Sequence, residues 1–307
     1  MTPGALLIAT SPRSGSWLLS DYLAGSGVIG VGREYFHVNY VPDYSRALGL
    51  DSQHITGPYI AAARQDAARE GVLFSSKVHW LQMNQLVDAL RVIHPELAQD
   101  HAPAPALIEA SLPGACYLHL TRRDKARQAI SFFKAMRTDH WWERAGGPGT
   151  TADAKAAAPA PAPAPLEPPD HLAIRWFEED LRHEDAEWQR FFYHFGLTRF
   201  AVAYEDLVAD PRAVVRAVLD WLGFTDVAAP DRGSQLRRQA DADSERALAE
   251  YLQIRDELPP RPPPGWQWSF TRRSFGLPDA APPATGQPPA SPPAPGPGPG
   301  PSRLAPF

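Results

Sequence analysis

Residues 5–17 read ALLIATSPRSGSW, and this stretch decides the fold. The apolar run Ala5–Ala9 is too short for a helix and is bounded by turn-forming residues, which is typical of a buried strand. After the turn Ser11–Ser16, the segment from Trp17 to Ala24 has the apolar spacing of a helix, and glycines follow it. A strand, a glycine-containing turn and a helix in this order predict a phosphate-binding loop.

Strands and helices alternate along the rest of the chain. Further strands are predicted at Val28–Val31, Val72–His79, Cys116–Thr121 and Phe200–Tyr204. Helices are predicted at 56–70, Leu81–Leu90, Lys125–Met136, His171–Phe195 and Pro211–Trp221. This alternation predicts an α/β fold with a P-loop-like parallel sheet that is flanked by helices on both faces.

Proline occurs 34 times and is concentrated in two segments. The Ala-Pro repeat at 158–165 favours an extended polyproline conformation. We therefore predict a loop insertion at about 145–170 within one domain that spans residues 1–276. Residues 277–307 are dominated by Pro, Ala and Gly and are predicted to be a disordered tail.

Charge and composition argue against several classes of protein. A net charge of -5 and a pI near 6.1 argue against a general nucleic-acid-binding protein. The single cysteine, Cys116, excludes an intramolecular disulfide and a metal site built from cysteines. No segment approaches the roughly 20 apolar residues of a membrane span, and no targeting signal is visible. We therefore expect a cytoplasmic protein that binds a small molecule and does not insert into a membrane.

The turn after the first strand offers several groups that bind anions. Backbone N–H groups converge at a helix N-terminus, where the helix dipole also attracts negative charge. Gly15 allows close approach of the backbone, Ser14 and Ser16 can donate hydroxyl hydrogen bonds, and Arg13 offers a guanidinium group. A plain serine-capped helix would explain the same residues. The turn lacks the Gly-Lys-Ser/Thr ending of a Walker A loop, so a nucleotide without a β/γ-phosphate pair fits better than ATP or GTP.

A second anion site is predicted after the strand Cys116–Thr121. Arg123 lies at the end of this strand, and Ser131 lies about two helical turns further on, so both can converge on one anion. Two such sites on neighbouring strands of one sheet predict a ligand with two separated phosphate groups. An exposed, charged helix start would explain the basic residues but gives no reason for the pairing.

Five segments together resemble the Stf0-type bacterial sulfotransferases, whose best-known members sulfate trehalose. In chain order they are SPRSGS (11–16), REYFH (33–37), RDK (123–125) with QAIS (128–131), YEDL (204–207) and RQAD (238–241). Each segment alone is weakly specific for the family, whereas the order and spacing of all five together are strongly specific. The match spans roughly residues 4–275.

The resemblance implies a sulfotransferase fold and a metal-independent reaction. A sulfuryl group would move from 3′-phosphoadenosine 5′-phosphosulfate (PAPS) to a hydroxyl group of a carbohydrate or a glycosylated small molecule, leaving the product nucleotide PAP. The loop from Arg13 to Ser16, with Trp17, would hold the 5′-phosphosulfate end. Arg123 and Ser131 would hold the 3′-phosphate, and Arg238 would add to the nucleotide pocket. The family also suggests a homodimer.

The resemblance places Glu34 where the family has its general base, the carboxylate that takes the proton of the acceptor hydroxyl. A surface carboxylate paired with Arg33 is the alternative for Glu34. Lys77 and His79 alternate on one strand and so share a face. The sequence Lys77-Val78-His79 is similar to the Lys-Thr-His of cytosolic sulfotransferases, in which histidine is the base and lysine assists the sulfuryl group. The family context favours Glu34 over His79, and both stay candidates, with Arg13 stabilising the charge on the transferred group.

The acceptor and two competing functions stay open. Trp141 and Trp142 can form a face for a sugar or an aromatic acceptor, or they can simply pack. A nucleotide-dependent kinase is opposed by the missing Walker lysine and by the two anion sites. A non-catalytic nucleotide-binding scaffold that uses the Pro-rich tail is opposed by the presence of Glu34 together with the anion-binding residues.

Overall fold

The computed structural model describes residues 3–138, 141, 166, 168–230 and 242–259. The predicted insertion at about 145–170 lies almost entirely outside the described residues, and the predicted tail at 277–307 lies wholly outside them. Trp142 and Arg238 are outside them as well. The predicted extent of the domain, the insertion and the tail therefore stay predictions.

Four parallel strands form the central sheet. They are β1 (Ala5–Thr10), β2 (Ser75–His79), β3 (Ala115–Thr121) and β4 (Arg199–Ala203). Their order across the sheet is β2-β1-β3-β4. Ile8 pairs with Lys77 of β2 on one side and with Leu118 of β3 on the other, and all six residues of β1 are buried. Because helices cover both faces of such a sheet, a continuous apolar run is what a central parallel strand requires.

The helices connect the strands and cover the sheet. Among the described residues they are α1 (Ser16–Ala24), α2 (Val41–Ala47), α3 (Gly57–Arg69), α4 (Trp80–Ile93), α5 (Pro95–Gln99), α6 (Ala104–Ser111), α7 (Lys125–Thr138), α8 (Pro168–His194), α9 (Tyr204–Ala209), α10 (Pro211–Trp221) and α11 (Ala242–Ile254), with a 3-10 turn at Arg255–Glu257. Helix α10 begins where it does because Asp210 accepts a hydrogen bond from the backbone N–H of Ala213 at 2.9 Å. None of the described helices is long and apolar enough to cross a membrane.

Side chains of β1 alternate between two hydrophobic cores. Leu7 lies in one core with Leu86 of α4 and Trp188 of α8. Ile8 lies in the second core with Leu19 of α1 and Leu219 of α10. This alternation follows from the two-residue period of a strand. It confirms the predicted α/β fold, in which helices cover both faces of a parallel sheet.

Two predicted strand positions are wrong. The segment Val28–Val31 makes only an isolated bridge, between Ile29 and Leu73. A second isolated bridge joins Arg33 to Ser76 of β2, and no continuous ladder forms between the two bridges, where the N–H of Gly32 donates instead to the Ser20 hydroxyl of α1 at 2.6 Å. Tyr204 begins helix α9 and does not end β4.

Glu184 of α8 is a carboxyl group packed against the start of α4. The backbone N–H of Trp80 donates to it, and its Oε2 atom has no hydrogen-bond partner within the described part of the chain. Burial, followed by repulsion from Asp180 and Asp185, raises the pKa of Glu184 to about 8. Folding therefore holds this carboxyl group in its protonated form at neutral pH.

We expect Glu184→Gln to stabilise the protein at pH 8.5 by up to about 4–5 kcal/mol and to change its stability by less than about 1 kcal/mol at pH 5. An acid whose pKa is raised by folding destabilises the folded state progressively as pH rises from its ordinary pKa to its folded pKa, here from 4.5 to about 8. The amide keeps an oxygen for the N–H of Trp80 and removes the charge. Urea unfolding followed by tryptophan fluorescence at the two pH values measures the difference in the free energy of unfolding.

Glu250→Gln on α11, where the side chain is 43% exposed, serves as the matched control. We expect it to change the free energy of unfolding by a similarly small amount at the two pH values. An equal effect of Glu184→Gln at pH 5 and pH 8.5 would contradict the raised pKa.

Candidate functional site

The strand order reverses between β1 and β3. The connection after β1 leads to β2 on one side of the sheet, and the connection after β3 leads to β4 on the other. A crevice forms outside the carboxyl ends of parallel strands at such a point, and ligands of open α/β sheets bind there. The loop after β1 and the residues after β3 both lie at this edge.

Buried polar contacts from two helices hold the loop after β1. Gln128 of α7 donates from Nε2 to the backbone oxygen of Pro12 at 2.7 Å and to the Ser11 hydroxyl at 3.0 Å. The Ser11 hydroxyl in turn donates to Asp185 of α8 at 3.2 Å, and Asp185 is paired with the buried Lys125. The loop is therefore fixed before any ligand arrives.

Gly15 ends this loop and is the N-cap residue of α1. Its φ of 90° favours glycine, and a Cβ atom there would lie 2.4 Å from Cδ2 of Tyr204. Arg13 also has a positive φ, of 61°, so the turn is tight on both sides of Ser14. Glycine offers no side chain to cap the first N–H groups of the helix, which suits a site for an external anion.

Arg13 and Arg122 form a cationic cluster beside the loop. Arg13 donates from Nε to the Ser131 hydroxyl at 3.0 Å and from Nη1 to the backbone oxygen of Trp141. Arg122 donates to the backbone oxygen of Arg13 at 3.3 Å, and its guanidinium carbon lies 4.6 Å from the centre of the Tyr204 ring. Burial, and then the charge of Arg122, lower the pKa of Arg13 to about 10. Two neighbouring guanidinium groups favour the binding of an anion between them.

Arg123 has other partners. Its guanidinium makes two parallel hydrogen bonds to Asp206, at 2.7 and 2.6 Å, and its side chain is 61% exposed. The backbone N–H groups of Arg123 and Asp124 bind the Glu205 carboxylate, which caps the start of α7. The structure thus places Ser131 against Arg13, while Arg123 is held by Asp206.

Glu34, Lys77 and His79 meet at the carboxyl end of β2. The backbone N–H of Lys77 donates to the oxygen of Arg33 at 2.9 Å, which pins the segment of Glu34 beside the strand. Lys77 Nζ lies 3.4 Å from Glu34 Oε1 and 3.0 Å from the centre of the Trp17 ring. The Glu34 side chain is only 13% exposed, and it pairs with Lys77.

Charges inside this group set its protonation. Burial acts to raise the pKa of Glu34, but the charges of Lys77, His79 and His37 and a hydrogen bond from Gln82 outweigh it and lower that pKa. Burial lowers the pKa of His79 to about 4. At neutral pH Glu34 is therefore a carboxylate and His79 is a neutral imidazole.

Three residues that contribute to this arrangement were not singled out in the sequence. Arg122 stands next to Arg123, and only the end of β3 decides which of the two faces the crevice. Tyr204 packs against Gly15, a contact between distant segments of the chain. Gln82 reaches back to His79 from the first turn of α4, and this His-x-x-Gln pattern is unlike the usual Ser/Thr-x-x-Glu capping box.

Comparison with known proteins gives consistent results. A trehalose 2-sulfotransferase of Mycolicibacterium smegmatis is 29% identical over 283 residues, covering 84% of this chain and 98% of the relative. A trehalose 2-sulfotransferase of Mycobacterium tuberculosis is 26% identical over 268 residues, covering 80% and 93%. The crystal structure of a sulfotransferase from Alicyclobacillus acidocaldarius aligns with a TM-score of 0.42 and 15% identity, covering 90% of this chain and 96% of that one.

The profile of the Stf0 sulphotransferase family matches residues 5–253, which include β1, its loop, Glu34, β2 and the residues after β3. The match covers most of the chain and contains both the cationic cluster and the Glu34 group. This chain is a sulfotransferase and belongs to the Stf0 sulphotransferase family.

Proposed function

We propose that this sulfotransferase takes a sulfuryl group from PAPS and transfers it to a hydroxyl group of a carbohydrate or a glycosylated small molecule. The observation that carries the proposal is the placement of two groups of side chains at one edge of the sheet. The Arg13–Arg122 cluster lies after β1 and β3, and the Glu34–Lys77 pair lies at the carboxyl end of β2. The two relatives named trehalose 2-sulfotransferases support a sugar as the acceptor.

The donor nucleotide fits the cationic cluster by its charge. PAPS carries two separated anionic groups, and the chain offers the start of α1 for one and the guanidinium cluster with Ser131 for the other. The Nε atom of Arg122 is buried and has no hydrogen-bond partner within the described ranges. A phosphate oxygen would supply the acceptor that a buried N–H group requires.

We therefore add Arg122 to the residues proposed to hold the nucleotide, with Ser14, Ser16 and Trp17 in the first site. Arg123 stays a predicted ligand of the 3′-phosphate, and it would have to exchange Asp206 for the phosphate. Arg238 also stays a predicted ligand.

The reaction needs a base and a cation near the transferred group. PAPS, when bound, would supply the sulfuryl group: the acceptor oxygen forms a bond to its sulfur as the bond between that sulfur and the 5′-phosphate oxygen breaks, and PAP leaves with the electron pair. Glu34 takes the hydroxyl proton, and Lys77 stabilises the negative charge that develops on the transferred group. Arg13, which the sequence predicted for the same role, lies with Ser131 and Arg122 in the cluster proposed for the other anion. As Lys77 shares its charge with that group, it holds the Glu34 carboxylate less strongly, and the pKa of Glu34 rises toward the range of a useful base. His79 is the second candidate for the base.

Other expectations also stay predictions. They are a metal-independent reaction, a homodimer and a cytoplasmic location. Each follows from the sequence or from the family resemblance.

We expect the protein to bind PAP much more tightly than AMP, because only PAP carries a 3′-phosphate for the second anion site. Isothermal titration calorimetry with PAP, AMP and ATP measures this directly. Stronger binding of ATP, or no binding of PAP, would contradict the proposed donor and would favour the kinase or the scaffold function.

Arg122→Ala is expected to weaken PAP binding by about 10- to 100-fold, since a hydrogen bond to a charged group contributes about 1.5–3 kcal/mol. Arg123→Ala is also expected to weaken PAP binding, but by a smaller factor, because its guanidinium is already bound to Asp206. Circular dichroism checks that both variants fold. A larger loss from Arg123→Ala would assign the 3′-phosphate to Arg123 and not to Arg122.

Glu34→Gln is expected to retain PAP affinity within a few-fold and to lose about 100- to 10,000-fold in kcat, the usual contribution of a general base. Transfer of radiolabelled sulfate to trehalose and to other glycosides is the assay, with His79→Gln measured in parallel. Retention of activity in Glu34→Gln together with its loss in His79→Gln would make His79 the base.

A further inference from the structure

Gln82 contacts both residues that are candidates for the base. It lies in the first turn of α4 and is 1% exposed. Its Oε1 accepts a hydrogen bond from the backbone N–H of His79 at 3.1 Å, and its Nε2 donates to Glu34 Oε2 at 3.1 Å. The same Nε2 lies 3.5 Å from His79 Nδ1.

The orientation of this amide follows from its partners. The backbone N–H of His79 can only donate, so the oxygen of Gln82 has to face it. The NH2 group then faces the Glu34 carboxylate, which can only accept when it is ionised. The reversed amide would oppose two donors on one side and two acceptors on the other.

We propose that Gln82 is a positioning residue that decides which of the two candidates acts as the base. The proposal rests on the function proposed above, in which Glu34 takes the proton. Gln82 donates a hydrogen bond to one carboxylate oxygen of Glu34, and Lys77 Nζ lies at ion-pair distance, 3.4 Å, from the other. The hydrogen bond and the ion pair together favour one orientation of the carboxylate, which leaves its remaining lone pairs for an acceptor hydroxyl.

The contacts of Gln82 with His79 instead make His79 less suited to act as the base. The imidazole faces N–H donors of Gln82, from the side-chain amide and from the backbone in the reciprocal capping box, so Nδ1 is an acceptor. A neutral imidazole whose Nδ1 accepts carries its proton on Nε2. His79 then offers an N–H donor from Nε2 to the pocket and cannot take a proton there.

The other titratable groups around Glu34 are distributed over three segments. Lys77 and His79 lie on β2, His37 lies in the loop that follows Glu34, and Tyr44 belongs to α2. None of these is changed by a substitution at Gln82, so a change in the pH profile of such a variant reports on the contacts of Gln82.

Gln82→Met tests the positioning role, because methionine has similar length and cannot hydrogen-bond in the same way. We expect kcat for transfer to trehalose, or to the best glycoside found, to fall about 10- to 100-fold. The Kd for PAP and the KM for the acceptor should change by less than about threefold, because Gln82 contacts neither ligand in the proposal. Gln85→Met on the same helix is the matched control and should keep wild-type kcat.

Gln82→Glu supplies a readout that a purely structural role would not change. The new carboxyl group can donate to Glu34 only while it is protonated, so kcat should recover as pH falls. The wild-type enzyme should instead lose activity at low pH, as Glu34 becomes protonated. The pH profile of Gln82→Glu is therefore expected to be shifted to lower pH than that of the wild type.

Three outcomes separate this proposal from the proposed function. Loss of kcat in Gln82→Met with unchanged Kd, and no further loss when it is combined with Glu34→Gln, supports the positioning role. Wild-type kcat in Gln82→Met, with Glu34→Gln inactive, overturns the positioning role and leaves the base in place. Full activity of Glu34→Gln overturns both.

Discussion

The pairing of β1 with β2 on one side and with β3 on the other is the constraint on which the site depends. In a parallel sheet the carboxyl ends of neighbouring strands meet at one edge, so the loop after β1, the Lys77–His79 end of β2 and Arg122 after β3 are brought together. The two cores on either side of β1 keep this strand in place, and α7 and α8 hold its loop through Gln128 and Asp185.

The site at this edge of the sheet contains buried charged side chains, and burying them costs free energy. Lys77 is fully buried against the Trp17 ring, and burying an ammonium group costs free energy unless it is paired. Glu34 lies 3.4 Å from it and offsets this cost in part, since burial still lowers the pKa of Lys77 to about 7, and the positive charge of Lys77 lowers the pKa of Glu34 in turn. Because the charge of Lys77 lowers the pKa of Glu34, an anionic ligand that pairs with Lys77 would raise that pKa. Gln82 donates a hydrogen bond to this carboxylate, which is the contact behind its proposed positioning role.

The fold was largely predictable from the sequence, and the errors have local causes. The apolar run of β1 and the regular spacing of α7 and α8 follow from the burial that a two-sided sheet imposes. Val28–Val31 has the composition of a strand but makes only an isolated bridge to Leu73, and the N–H of the neighbouring Gly32 donates to Ser20 of α1, which lies 12 positions earlier in the chain. The approach of Lys77 and His79 was predictable from their alternation on one strand, and their contact with Glu34 became visible only in the fold.

The sequence alone determined the parallel α/β architecture, the turn between β1 and α1 and the family, because periodicity, turn residues and motif order are properties of the chain itself. Only the tertiary structure decided that Arg122 lies with Arg13, that Asp206 holds Arg123, and that Gln82 links the two candidate bases. Such choices depend on which way a strand end points and on hydrogen bonds between segments up to about a hundred residues apart. The partners of a side chain depend on which segments lie close together in the fold, and residue type and spacing along the chain do not specify this.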